Sequence, residues 1–541
     1  MSLIAVVALA LGGGIATGLL APSRPRFALA IGLAAGLATI LAATRMGSDD
    51  ALFVGGTVLT ATDGLRIIIM AWAAVAMLLS IVDILAGGRT AGLGGSLVAL
   101  AATIVAFASQ DPAIAFAALA TGSVAAVVSP ALAHPTPGSH RAAAAWRSLR
   151  AVVIPSLIGL VAAGWAASAA GPFSAVEPVA GSGPRIGAAL GIGLLAIAAA
   201  VVLRSGAIPA HVWAARFIDG APTVAFPAAL GWGAAAFTLV ALRWSATTIA
   251  PAASLLTVEP GLVALVAVAS IALGGMAAIL HDDIEHVLGY AVVQDAGVAL
   301  LAFAAVDPAT AAPARDWLIA TATVKSGLAA WIIVAKAEYG VHRIPDLRGW
   351  ARHDPVLGAA FVLVLIGAVG LPGMALFEAR GALVEAAIPG PLGVPVLLVA
   401  FLPILYLGRI LLAGLGPIGP AAAAAAAARE ELLDREAEAA AGPGTRRWLR
   451  SRWSATRGAA SVAALAVLVR VHRFRVAAMT AVLIAAIGLA LAVGGLGNAV
   501  VEPPVGGEPG GAGASPVASG GPVDSPAAGP SSSPTGSGGT D

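Results

Sequence analysis

Residues 355–387 read PVLGAAFVLVLIGAVGLPGMALFEARGALVEAA. The stretch is apolar enough for lipid but too long for one straight membrane span, which needs about 20 residues. Gly370-Leu371-Pro372-Gly373 interrupts it near its middle. Proline and glycine free backbone groups that hydrocarbon cannot satisfy, so such a break persists only where it faces protein or a wet cavity. A second stretch, 186–216, has the same character and is interrupted around Ser205-Gly206-Ala207-Ile208-Pro209. Interrupted helices at corresponding places in two halves of a membrane protein mark a transport site.

Composition supports the membrane reading. Of 541 residues, 59% are hydrophobic and 11% charged, with a mean hydropathy of +0.94. A soluble chain carries about 25% charged residues, so a soluble enzyme is excluded. Apolar runs fall at about 2–22, 26–43, 67–86, 92–109, 112–133, 151–170, 186–216, 222–242, 258–280, 286–305, 315–336, 355–387, 391–413 and 476–497. They predict an all-α polytopic protein of about 14 transmembrane helices. The broken runs are the seventh and the twelfth. Their separation suggests two five-helix repeats, 91–250 and 251–415, which must be inverted because each holds an odd number of spans. Residues 1–90 then hold spans one to three, 416–475 a charged loop, 476–500 a last helix, and 501–541 a Pro/Gly/Ser tail expected to be disordered. The first run lacks a basic leader and reads as a retained span rather than a signal peptide.

Loop charges orient the chain, because cytoplasmic loops collect Arg and Lys. Loops after odd-numbered spans hold Arg24 and Arg26, Arg89, Arg141, Arg147 and Arg150, Lys336, Arg343, Arg348 and Arg352, and the run Arg446 to Arg457. The opposite loops hold Asp49, Asp50, Asp63, Asp111, Glu177, Glu259 and Asp307. The expectation is a prokaryotic-type cytoplasmic membrane, with both termini outside and the 414–475 loop inside, where a helix lies on anionic lipid. A net charge of +2 offers no nucleic-acid face, and the absence of cysteine removes disulfides and iron–sulfur ligation. No cofactor is therefore expected in this chain.

A charge at the bilayer centre is expensive and functional by default. The chain has two lysines. Lys336 sits at the end of its span and is expected to snorkel. Lys325, in Ala-Thr-Val-Lys-Ser-Gly, lies mid-span, where desolvation favours proton loading and release. Asp295 lies midway along span ten and is a candidate proton carrier, as is Glu378. Arg204 and Arg380 adjoin the two breaks and read as electrostatic elements, since arginine holds its proton. His211 follows the first break and is expected to meet freed carbonyls. His281 and His286, beside Asp282, Asp283 and Glu285, read as a solvated turn rather than a metal site.

Three stretches, in order, resemble the antiporter-like membrane subunits of respiratory complex I, relatives of multi-subunit cation/proton antiporters and of energy-converting hydrogenase membrane arms. They are Pro209-Ala210-His211-Val212-Trp213 with Asp219-Gly220-Ala221-Pro222-Thr223; Asp283-Ile284-Glu285-His286-Val287-Leu288-Gly289-Tyr290 with Gly297; and Asp346-Leu347-Arg348-Gly349-Trp350 with Pro355, Gly370-Leu371-Pro372, Phe377 and Arg380. The resemblance implies a proton-translocating subunit built on inverted repeats, with charged residues along a central axis. It also implies membrane-subunit partners that perform the redox step of an NADH-quinone oxidoreductase, with protons, or Na+, as the coupling ion. The family's span-five glutamate falls near Thr121, its span-seven and span-twelve lysines on Arg204 and Arg380, its span-eight base between Leu230 and Ala235, and its span-ten histidine on Asp295. Lys325 matches the span-eleven lysine. The lost glutamate and span-eight base leave two alternatives open: a non-conducting structural subunit of the same complex, and a component of a cation/proton antiporter or hydrogenase.

Overall fold

The computed structural model describes residues 2–47, 50–54, 57–88, 92–132, 139–170, 183–428, 431 and 472–501. Most of the expected 416–475 surface element and all of the tail beyond Val501 lie outside the described residues. The helices are α1 (Leu3–Leu20), α2 (Pro25–Thr44), α3 (Asp63–Leu85), α4 (Leu93–Ala108), α5 (Pro112–Leu132), α6 (Ser139–Ala170), α7 (Gly183–Ser205), α8 (Val212–Gly220), α9 (Gly233–Thr248), α10 (Glu259–Leu280), α11 (Ile284–Ala305), α12 (Ala311–Tyr339), α13 (Trp350–His353), α14 (Pro355–Val369), α15 (Ala375–Ala387), α16 (Gly393–Ala400), α17 (Pro403–Leu415) and α18 (Arg473–Gly494). A hairpin, β1 (Ala51–Val54) paired antiparallel with β2 (Thr57–Thr60), joins α2 to α3.

This is an integral membrane protein. Among the described residues, 11 helices are long and apolar enough to cross a bilayer, or 12 if the bent pair Ile344–His353 and Pro355–Val369 counts as one span. Leu93–Ala108 and Pro112–Val128 are apolar but shorter. Helix α12 is the axis of the bundle. Its central window is wholly buried, whereas that of Leu3–Leu20 is 28% buried and turns leucine and isoleucine outward, as a lipid-facing helix must. Close approach on the N-terminal side rests on glycine: a Cβ on Gly94 would come within 2.8 Å of the Gly18 amide.

Both interruptions predicted from sequence are present. Helix α7 ends at Ser205, Gly206 takes φ +72°, and the chain restarts in α8; α14 ends at Val369, Gly370 takes φ +61°, and α15 follows. The freed groups of the first break are met by Trp213 and Ser270. The Trp213 indole donates to the Leu203 carbonyl at 2.7 Å, and the Ile208 amide donates to the Ser270 hydroxyl at 3.1 Å. His211, expected in that role, is only half-buried, and its Nδ1 has no hydrogen-bond partner among the described residues. Two further interruptions were not foreseen. Pro227–Trp232 is a π-helical turn leading into α9, and α16 gives way to α17 at Phe401 and Leu402.

The segment after α18 is stapled to the bundle. Arg315 donates to the carbonyls of Ala499 at 2.8 Å and Gly497 at 2.7 Å, and the Thr62 hydroxyl donates to the Val501 carbonyl at 2.6 Å. The starts of α3 and α12 and the end of α18 therefore share one face of the protein. Replacing Arg315 with Ala is expected to cost about 2–3 kcal/mol, because two carbonyls and Asp316 lose a charged donor. The check is a lower unfolding temperature in detergent together with faster amide exchange over residues 495–501.

Candidate functional site

At the centre of α12, Lys325 is 5% exposed and its Nζ lies 3.2 Å from Asp295 Oδ2 on α11. Two ions this deep would be costly singly, and each supplies the countercharge that offsets part of the other's desolvation. Trp317, two turns before Lys325 on α12, donates from its indole to the Asp295 carbonyl at 3.1 Å and so fixes the register of the two helices. An ammonium carries three donors, and the ion pair uses one. The pair borders a cavity of about 40 Å³ lined also by Ser205, Thr238 and Thr321 and by the small residues Gly231, Ala234 and Ala235. A water needs roughly 10–15 Å³ of such space, so the cavity admits two or three. Leu230 to Ala235, where the family resemblance places a base, forms one wall of this space.

The two arginines at the breaks are both fully buried. Arg380 donates from Nη1 to the Ala400 carbonyl at 3.1 Å, at the α16–α17 break, and from Nη2 to the carbonyls of Val369 and Gly370 at the end of α14. Its guanidinium stacks 3.8 Å from the Phe401 ring centroid and lies 5.6 Å from that of Trp317. One planar fork thus closes the carbonyl ends of two interrupted helices, a geometry an ammonium cannot match. Arg204 donates to the Ala229 carbonyl at 2.9 Å, inside the π-helical turn, and to the Ser123 hydroxyl at 3.2 Å. Gly233 makes room for it, since a Cβ there would fall 2.5 Å from Nη2.

The expected site residues therefore separate. Lys325, Asp295 and Arg380 come together around Trp317. Arg204, at the end of α7, reaches instead to Ser123 on α5 and to the π-helical turn. Thr121, the position matched to the family's glutamate, is exposed and hydrogen-bonds back to Ala117; the α5 residue that faces Arg204 is Ser123. Glu378 is exposed on α15 and does not join the buried group. His211 lies instead near His286 at the other end of the bundle.

That end is a network of charges. Lys336 pairs with Glu285 at 2.7 Å, and Glu285 also accepts from Thr223, which explains the Gly-Ala-Pro-Thr stretch. His286 stands 3.2 Å from Asp219 and 3.4 Å from Asp283, and His342 lies 3.5 Å from Asp283. Arg409, which the sequence reading passed over, donates to Asp282 and to the carbonyls of Ile279 and His281. Burial and the neighbouring His286 hold the His281 imidazole below its ordinary range. Burial raises the Asp283 carboxyl, but His286 and the amides of Glu285 and His286 outweigh it and leave the group below its ordinary value. A depressed carboxyl stabilises the fold above its unfolded value and ceases to do so as pH falls through the folded one. Replacing Asp283 with Asn should accordingly flatten the acid side of a plot of unfolding temperature against pH, below about pH 4.

Known proteins place this geometry. Residues 138–404 match the family described as NADH:quinone oxidoreductase/Mrp antiporter, TM. NADH-quinone oxidoreductase subunit N 1 of Streptomyces griseus is 32% identical over 38% of this chain and 42% of its own. NADH-quinone oxidoreductase subunit 14 of Thermus thermophilus is 30% identical over 47% of this chain and 57% of its own. The chain thus spans about half the length of the curated relatives it matches. The fold is that of a chain in respiratory complex I from Thermus thermophilus, with a TM-score of 0.61 and 21% identity over 78% of this chain and 92% of that one. It is equally that of a chain in the membrane-bound sulfane sulfur reductase, an archaeal respiratory membrane complex, with a TM-score of 0.64 and 16% identity over 77% and 90%.

Proposed function

We propose that this chain, whose residues 138–404 match the NADH:quinone oxidoreductase/Mrp antiporter transmembrane family, is a proton-translocating, antiporter-like subunit of an NADH-quinone oxidoreductase-type complex. Partner membrane subunits carry out the redox chemistry, and this chain binds no cofactor. The observation that carries the reading is the buried Lys325–Asp295 pair, bordering a small cavity that Ser205, Thr238 and Thr321 also line. An ammonium beside a carboxylate can pass a proton to water or take one back without moving charge far through hydrocarbon.

The fourteen-span topology belongs to this proposal, with α4, α5 and the broken α14–α15 unit crossing alongside the eleven longer helices. So do the inverted repeats, which one correspondence supports. On α5, α7 and the π-helical turn stand Ser123, Arg204 and the Ala229 carbonyl; on α11, α15 and the α16–α17 break stand Asp295, Arg380 and the Ala400 carbonyl. In each half an arginine at a helix break reaches a carbonyl at an interruption of the next span. The difference is that one half has a carboxylate where the other has a hydroxyl. The first half thus has a fixed cation with a hydroxyl opposite it, and proton handling rests on the second, from Lys325 through Asp295 toward Arg380, with Glu378 at the surface of the chain. The basic residues of the loops after odd-numbered spans support an orientation with the 414–475 loop inside and both termini outside.

A second reading, a non-conducting structural subunit, draws on Ser123 and the guanidinium of Arg204. The double variant Lys325→Met/Asp295→Asn separates the two, since it removes the pair without stranding one charge. In the purified complex, reconstituted in phospholipid vesicles, redox-driven proton uptake is expected to fall at least about tenfold while the subunits remain assembled, as loss of a positioned proton carrier does. Full uptake by an assembled complex would favour the structural reading.

A further inference from the structure

Tyr406 on α17 is 1% exposed, and its hydroxyl has no hydrogen-bond partner among the described residues. It sits one turn past the α16–α17 break, whose Ala400 carbonyl accepts from Arg380, and within electrostatic reach of both Asp295 and Arg380. Gln294, the neighbour of Asp295, binds the same break by donating from Nε2 to the Val399 carbonyl at 3.1 Å. Its Oε1 and the Arg380 Nε are likewise without hydrogen-bond partners among the described residues. Unpartnered buried polar atoms are rare, and a group of them signals a place where hydrogen bonds are exchanged with water.

From this juxtaposition we infer that Tyr406 is a proton carrier between Asp295 and the Arg380 end of the second repeat. The inference rests on the proposed proton path through the Lys325–Asp295 pair. It fills a gap in that path: a guanidinium keeps its proton and so cannot relay one, whereas a phenol both donates and accepts. In the step, the protonated Asp295 carboxyl releases its proton through an intervening water to the Tyr406 oxygen. The Tyr406 O–H bond breaks at the same time, its proton passes to a second water, and that water releases one of its own protons on its far side, so no hydronium rests beside Arg380. The tyrosine is left neutral, one O–H bond having formed as another broke. The proton repelled by Arg380 is thereby carried past it without the arginine titrating.

The argument turns on the hydroxyl and not on the ring. A phenylalanine fills the same volume and leaves no buried oxygen unsatisfied, so Tyr406→Phe should assemble and unfold at the same temperature or a higher one. Redox-driven proton uptake by the reconstituted complex is nevertheless expected to fall about tenfold or more, as for the Lys325→Met/Asp295→Asn variant measured beside it. Tyr406→His, which restores a donor and an acceptor, should recover part of the loss. Full uptake by Tyr406→Phe while the Lys325/Asp295 variant is impaired overturns the role of Tyr406 and leaves the path intact. Full uptake by both overturns the path and this inference with it. A Tyr406→Phe subunit that no longer assembles would mean the hydroxyl holds structure, which also overturns the inference.

Discussion

Everything in this fold follows from a backbone that must not present unpaired carbonyls to lipid. The broken helices α7 and α14 violate that constraint locally, and each is repaired by a side chain that can serve carbonyls from inside the bundle. Trp213 takes the end of α7, and Arg380 takes the ends of both α14 and α16. Arg380 can be fully buried because those carbonyls and the Phe401 face replace its water shell. Remove the breaks and there would be no cleft for charge; remove the arginine and there would be no stable breaks.

The two halves solve the same problem with different electrostatics. Arg204 is held by one carbonyl and one hydroxyl, all neutral, so its charge is delocalised into the surrounding dipoles alone. Arg380 lies in the field of an acid that is itself paired to Lys325. Lys325 and Asp295 can hold their shared proton on the amine or on the carboxyl beside a fixed guanidinium, whereas a lone arginine has one arrangement. This asymmetry, rather than the number of charges, distinguishes the halves.

Much of the architecture could be read from the chain because its signals are local. Apolar length located the helices, and Gly370-Leu371-Pro372-Gly373 and Ser205 to Pro209 located two breaks, since proline and glycine act on the backbone where they stand. Lys325 stood out for the same reason: one cation in an apolar run. What needed three dimensions was phase and partnership. Thr121 and Ser123 differ by two positions, about 200° around a helix, and only Ser123 meets Arg204. The same rotation separates exposed Glu378 from buried Arg380. Lys336 was expected to reach for the membrane surface, but it pairs with Glu285, and nothing in sequence spacing joins residues on different helices. Arg409 and Tyr406 did carry a signal, each a polar residue in an apolar run, but a weak one without the α11 partners that give it meaning. The Pro403 that follows the α16–α17 break was likewise visible, though a proline at the start of a helix is unremarkable by itself.

The use of guanidinium at the breaks has a consequence for robustness. A protein that moves protons bathes its interior in changing proton supply, and any structural group that titrates in that range would loosen whenever the cargo arrived. On the proposed function, Arg204 and Arg380 tie carbonyls at the interruptions as cations that keep their charge through neutral pH, while the exchangeable proton is left to a carboxylate, an amine and a phenol. The scaffold is in this way insulated from what passes through it, and the bundle can be loaded and emptied without the joints that shape the cleft coming undone.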